Sequence, residues 1–168
     1  MVKKTNSSSE IISSGEKANK TGNQLEEFVE ETLKKKGYVE FWNHKATAFE
    51  NRKVIGGKQY IRQLPVGQTI YETTRKCDFF IINRDRFSDD LIIECKWQQV
   101  SGSVDEKYPF LLFNIIKTGI PTIVLMDGSG YKKAALEWLK GQVHDKSALI
   151  AVWNMAEFQT KVNNNFFG

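Results

Sequence analysis

Two carboxylates and a lysine interrupt otherwise apolar strand-like stretches: Asp78 at the head of "CDFFII", Glu94 and Lys96 near the end of "LIIECKWQ". Burying an unpaired charge costs several kcal/mol, so such residues are exposed, paired or bound to something. If the two stretches pair as an antiparallel hairpin, the start of the first lies beside the end of the second. Asp78 then comes close to Glu94 and Lys96. Carboxylates so placed repel unless a cation lies between them, and hard oxygen ligands with room for water suit Mg²⁺. The adjacent ammonium of Lys96 can touch a metal-bound water or steady a phosphate oxygen. Such a set is suited to making hydroxide beside a phosphodiester. The ordinary alternative is a turn cap at Asp78 and an exposed Glu94–Lys96 pair of little energetic worth. Context favours chemistry: the triplet closes a hydrophobic strand, polar Gln98 continues the same face, and "SGSVDEK" leads into a helix.

The surrounding elements must hold these charges in place. Strand side chains alternate faces, so Glu94, Lys96 and Gln98 share one face with Ile92, while Ile93, Cys95 and Trp97 pack a core on the other. On the first strand, Asp78 shares a face with Phe80 and Ile82, and Cys77 is expected near Cys95 on the far face. Upstream, "NQLEEFVEETLKKKGY" places Leu25, Phe28, Val29, Thr32 and Leu33 at helical spacing, with acids early, lysines late and Gly37 as a stop. Residues 38–76 read as two or three strands or extended loops, broken by Gly-Gly at 56–57 and by Pro65. "DEKYPFLLFNIIKTG" reads as a helix, "IPTIVLMDG" as a strand buried on both faces, and "YKKAALEWLKGQV" as an amphipathic helix. "ALIAVWN" is another buried strand and "MAEFQTKV" a closing helix. A hairpin followed by crossover units makes a mixed β-sheet flanked by helices, an α/β domain bordering on α+β.

The chain has 168 residues, 40% hydrophobic and 26% charged, which is economical for one domain with a substantial core. The Ser-, Asn- and Lys-rich residues 1–21 read as a flexible arm and 22–168 as the domain. A net charge of +4 and a pI near 9.0 permit a polyanionic partner without demanding one. Two cysteines without CxxC spacing argue against structural zinc and fit a reducing compartment. With neither a long apolar run nor a secretory signal, the expectation is a soluble cytoplasmic protein with no membrane partner.

On Asp78 in "KCDFFII", on Glu94 and Lys96 in "LIIECKWQ", and on the helix "GNQLEEFVEETLKKKGY", the sequence resembles the PD-(D/E)xK nuclease superfamily and its restriction-endonuclease-like fold. Cys77 stands where the family has its proline, which is not a ligand. The resemblance covers residues 22 to about 126 in the order of its elements, and its outer limit is residue 153. It implies a Mg²⁺-dependent DNA endonuclease, with Mn²⁺ able to substitute and restriction as the first expectation. The implied metal ligands are Asp78, Glu94 and the backbone carbonyl of Cys95. Lys96 would orient or deprotonate the attacking water, Glu26 would be the helix acid that completes the site, and Gln98 matches a glutamine of several nuclease branches. Holliday-junction cleavage, repair nicking, and a non-catalytic DNA-binding or partner subunit are the rival readings. A single site cuts one strand at a time, so double-strand cleavage implies a homodimer or a partner protein.

DNA contacts are expected from Arg62, Arg75 and Lys76, with Arg52, Lys53 and Lys58 nearby and Trp42 and Tyr60 interspersed; Arg62 or Gln63 could read bases. Ser101, Gly102 and Ser103 are expected to form a loop at the mouth of the site, followed by Glu106 and Lys107, with Ser101, Ser103 and Lys107 as further DNA contacts. A solvated basic face is the ordinary alternative for these residues. His44 and His144 lack metal spacing. "DGSGY" at 127–131 lacks the lysine of a P-loop and reads as a strand-to-helix turn. Ser101 and Ser103 lack a His/Asp pattern for nucleophilic catalysis, and Trp97, Trp138 and Trp153 are expected to pack the core.

Overall fold

In helix α1 (Ser14–Lys35), Leu25, Val29 and Leu33 recur at a four-residue spacing and are fully buried. The helix ends because Gly37 adopts φ 82°: its N–H bonds to the Lys34 carbonyl, and that of Tyr38 to the Leu33 carbonyl. This double closure satisfies two orphan carbonyls and carries Tyr38 into the core. The structure is a computed structural model and describes residues 14–41, 57–99 and 103–168. α1 begins at Ser14, inside the stretch that composition assigns to an arm. Glu16, Lys17, Ala18 and Lys20 are good helix formers with no proline among them, and that local propensity prevails. Trp42, His44, Arg52, Lys53, Gly56, Ser101, Gly102 and residues 1–13 lie outside the described residues.

Among the described residues the sheet is formed by β1 (Val39–Glu40), β2 (Gln59–Arg62), β5 (Phe79–Ile82), β6 (Leu91–Trp97), β7 (Thr122–Asp127) and β8 (Leu149–Trp153), adjacent in that order. Between β2 and β5 the chain makes a separate two-stranded unit, β3 (Pro65–Gln68) and β4 (Thr74–Lys76). Pro65 opens β3, a strand position that proline tolerates. β5 and β6 are antiparallel, with Phe79 opposite Ile93 and Ile81 opposite Leu91, as the hairpin reading requires. β6, β7 and β8 are parallel. They are joined through α2 (Lys107–Thr118), entered by a short 3-10 helix (Ser103–Glu106), and through α3 (Lys133–Lys140). α4 (Met155–Asn163) closes the chain behind a capping box formed by Asn154 and Glu157.

The sheet has apolar packing on both faces. Phe79, Ile81, Ile93 and Leu125 meet α1 and Phe158 of α4, whereas Val124 and Met126 meet Leu112 and Ile115 of α2 and Leu139 of α3. A third cluster joins Phe80, Ile82 and Ile92 to Val66 of β3. The two free cysteines do not meet. Cys77 packs in this third cluster and Cys95 against the α1 cluster, because the chain bends at Asp78 and breaks the alternation assumed from Cys77 onward. Trp97 and Trp153 pack on the core, but Trp138 is 42% exposed; it is the neighbouring Leu139 that α3 buries.

α1 is tied to the sheet by charge as well as by its apolar stripe. Arg62 forks over Glu26 and Glu30, at 2.9 Å from each, and lies above the Phe79 ring. Lys34, Tyr60 and Arg62 hold the Glu30 carboxyl below its ordinary 4.5 and outweigh its partial burial. A carboxyl whose folded pKa lies below its unfolded value stabilises the fold above the unfolded value and loses that contribution as pH falls through the folded one. Acid titration of stability should therefore be shallower below pH 4.5 in Glu30→Gln than in the parent, read by urea unfolding at successive pH values. Superimposable profiles would contradict this account.

Candidate active site

The site forms where β5 stops short of its neighbour. β6 runs on to Trp97, but β5 pairs with it only as far as Ile93, which leaves the backbone edge beyond Ile93 without a strand partner on that side. The bend before β5 brings in Asp78 instead: its Oδ2 accepts the Cys95 N–H at 2.7 Å. Its Oδ1 accepts from the Gln63 side chain at 3.3 Å, and its backbone carbonyl from Gln63 N–H. Asp78 thus substitutes for the missing strand and is aligned with Glu94 and Lys96 in doing so.

Glu94 lies on a central strand and is 4% exposed. Its Oε1 accepts from Arg75 at 2.9 Å, and both side chains are 5% exposed. Arg75 is fixed in turn by the Asn114 carbonyl and the Thr118 hydroxyl of α2. The other oxygen, Oε2, lies 3.0 Å from Lys96 Nζ. That ammonium also lies 3.2 Å from Asp78 Oδ2 and 3.2 Å from the Cys95 carbonyl oxygen. Burial opposes the charged amine, but Glu94 and Asp78 prevail and hold its pKa above the ordinary lysine range. Three oxygens, from Asp78, Glu94 and the Cys95 backbone, therefore converge on one cationic position. These are the oxygens named from sequence as metal ligands, and here the Lys96 ammonium occupies the point they share.

The charges open on a cavity of about 500 Å³ between β4, β6 and α2. Lys76 and Lys107 are exposed, line it, and make no ion pair among the described residues. Ser103 opens the 3-10 helix that leads to Lys107. Other residues singled out from sequence have different roles. Arg75, expected at the DNA surface, is buried as the partner of Glu94, and Arg62 is committed to α1. Glu26, expected to complete the site, is paired with Arg62. Lys58 donates to the carbonyls of Lys36 and Gly168, and His144 is exposed. Gln98 is buried; its Oε1 accepts from Tyr108 at 2.7 Å and its Nε2 donates to the Gly130 carbonyl at 3.1 Å. Sequence reasoning missed Tyr108, Asn114 and Thr118, whose signal was only a polar position on an otherwise apolar helix.

The "DGSGY" segment is a turn, as expected, and it buttresses the end of β6. Gly130 N–H donates to the Gln98 carbonyl, and Gly128 adopts φ 101° where a Cβ would overlap that same carbonyl. Gly128→Ala is expected to cost about 1–3 kcal/mol from backbone strain alone and to shift the strand end that carries Lys96. Thermal unfolding checks this; an unchanged midpoint would show that the turn yields freely.

A mixed sheet that presents an acid from a bend and Glu-x-Lys from the neighbouring strand, at ends uncovered by further strand, is the design of restriction-endonuclease-like domains. The sequence model of the PD-(D/E)XK nuclease superfamily domain matches residues 17–166, and the chain belongs to that superfamily. No curated protein and no solved structure matches the chain significantly. Membership supports a nuclease-like function on nucleic acid, of a kind that typically uses divalent metals. Among the described residues, no helix is long and apolar enough to cross a membrane.

Proposed function

We propose that this chain is a Mg²⁺-dependent DNA endonuclease, with Mn²⁺ able to replace Mg²⁺, built on a single domain that follows the N-terminal residues. The observation that carries the reading is the convergence of Asp78 Oδ2, Glu94 Oε2 and the Cys95 carbonyl on one cation position. These oxygens would hold the metal, which when bound acidifies water and shields phosphate charge. The chain's own residues set the geometry. Gln63 and Arg75 occupy the second oxygens of Asp78 and Glu94, so each acid offers one oxygen to the shared point. With a metal at that point, Lys96 Nζ would stand beside it on its flexible stem, released from the two acids that raise its pKa, and there would orient or deprotonate the attacking water, or donate to a phosphate oxygen. Water oxygen attacks phosphorus, the P–O bond to the leaving strand breaks, and no covalent enzyme intermediate forms. Gln98, with its amide engaged at both ends, contributes by holding the end of β6. Lys76 and Lys107 meet the phosphates that flank the scissile one.

Restriction-type cleavage of duplex is the first substrate reading, with a homodimer or partner protein supplying the second cut; the free thiols accord with a cytoplasmic setting. Junction or repair cleavage is the second, favoured by the stacked rings of Tyr71 and Phe110, which lie beside the cavity. The test incubates supercoiled plasmid, a four-way junction, single-stranded DNA and RNA with the protein and with Asp78→Asn, in Mg²⁺ and in EDTA. Cleavage of DNA that needs Mg²⁺ and disappears in the variant is expected. Cutting in EDTA, or by the variant at the parent rate, would overturn the proposal.

A further inference from the structure

We infer that Tyr71 and Phe110 form a stacking platform for one nucleobase taken out of its helical stack, seated beside the catalytic charges; this rests on the proposed function. Their rings are stacked, with centroids 5.1 Å apart and planes at 24°. Tyr71 is 73% exposed, so most of its surface is open to solvent. A large aromatic so exposed is ordinarily mobile, but this one sits on a pinned turn. Thr69 N–H and Thr73 carbonyl close the β3–β4 turn at 2.8 Å, and the Thr69 hydroxyl accepts from the N–H groups of Tyr71 and Thr73. Ile70 N–H donates to the buried Asn114 side chain at 2.8 Å, and Lys117 donates to the Thr69 carbonyl at 2.9 Å. Asn114 also accepts, through its carbonyl, from the Arg75 that fixes Glu94. One residue of α2 thereby anchors both the aromatic turn and the catalytic acid.

Position and charge select the occupant. Tyr71 and Phe110 line a recess with Glu106 and Lys107, and Phe110 and Lys107 also line the catalytic cavity, so the two spaces adjoin. Lys107 suits a phosphate at their junction. Glu106 repels phosphate but accepts from the exocyclic amino group of a base. A flat apolar face, a phosphate-binding cation and an acceptor together match a nucleotide better than an apolar protein surface. Base–aromatic stacking supplies affinity without demanding sequence, and a base can reach a protein ring only if it is unpaired, terminal or extruded.

The experiment uses Lys96→Ala, to prevent cutting, and oligonucleotides carrying 2-aminopurine either unpaired next to a duplex or fully paired. Quenching on binding is expected for the unpaired probe. Tyr71→Ala in that background should lose the quenching and bind roughly tenfold more weakly, while Tyr71→Phe retains both. Intact binding and quenching in Tyr71→Ala would overturn the platform and leave the nuclease reading standing. Failure of the protein with native Tyr71 to bind any probe would overturn both. Sedimentation showing that Tyr71→Ala dissociates a dimer, with binding unchanged, would assign the patch to a second copy of the chain and refute the inference.

Discussion

Lys96→Ala is expected to lower phosphodiester cleavage by roughly 10²- to 10⁴-fold, the range spanned by positioned proton-transfer groups, while binding Mn²⁺ at least as tightly as the parent protein. The second half follows from the site. The ammonium lies 3.0–3.2 Å from the same three oxygens that a metal would use, so a divalent ion must displace it before binding. With alanine there, that competition disappears. Meanwhile Asp78 and the 5% exposed Glu94 side chain lose a countercharge, which lowers stability in the absence of metal. The variant should therefore melt below the parent in EDTA and gain more from added Mn²⁺, since a ligand stabilises in proportion to RT ln(1 + [L]/Kd). Calorimetric titration and thermal melting read these effects separately from activity. Weaker Mn²⁺ binding by Lys96→Ala would show that the amine supports the metal instead of competing with it.

Arg75→Ala should be the most destabilising single truncation in the site, by about 3–5 kcal/mol, the usual consequence of leaving one member of a buried pair alone. For a chain of this size that is roughly 10 °C in melting temperature. The same substitution leaves the Asn114 carbonyl and the Thr118 hydroxyl without their guanidinium donor. It also releases Glu94 Oε1, so the acid is no longer restricted to presenting Oε2. The double variant Arg75→Ala/Glu94→Gln should recover part of the loss, giving a coupling of about 1–3 kcal/mol in a double-mutant cycle with the two single variants. Urea unfolding supplies all four corners. A loss below about 1 kcal/mol for Arg75→Ala would place the pair among solvated ion pairs.

The two outcomes differ in how visible their causes are along the chain. Lys96 is two residues from Glu94 on a strand, so strand alternation alone puts both on one face, and the hairpin brings Asp78 alongside. Arg75 lies 19 residues from Glu94, and nothing local distinguishes it from Lys76, the next residue on the same strand. Alternation buries the first and exposes the second, but which face is buried depends on α2 lying beneath β4. Arg62 and Glu26 show the same limit. Their contact spans 36 residues, and the docking of α1 on the sheet turned a presumed DNA contact and a presumed site acid into partners of each other. The Tyr71–Phe110 pair is likewise invisible in one dimension, because the turn and the helix meet only in the folded chain, through Asn114, Lys117 and the rings themselves.

By itself the sequence determined the element types, the antiparallel pairing of β5 with β6, and the gathering of Asp78, Glu94 and Lys96. Those features follow from local periodicity and from a hairpin with a short connection. Tertiary structure alone decided which cations among the described residues are committed inside the protein and which stay exposed. It also decided that Cys77 and Cys95 lie in separate clusters, and that Gln98 is a strut between Tyr108 and Gly130. The physical reason is common to all of these. A charge or an amide takes whichever partner folding brings within about 3 Å, and residue type records the need for a partner without recording its address.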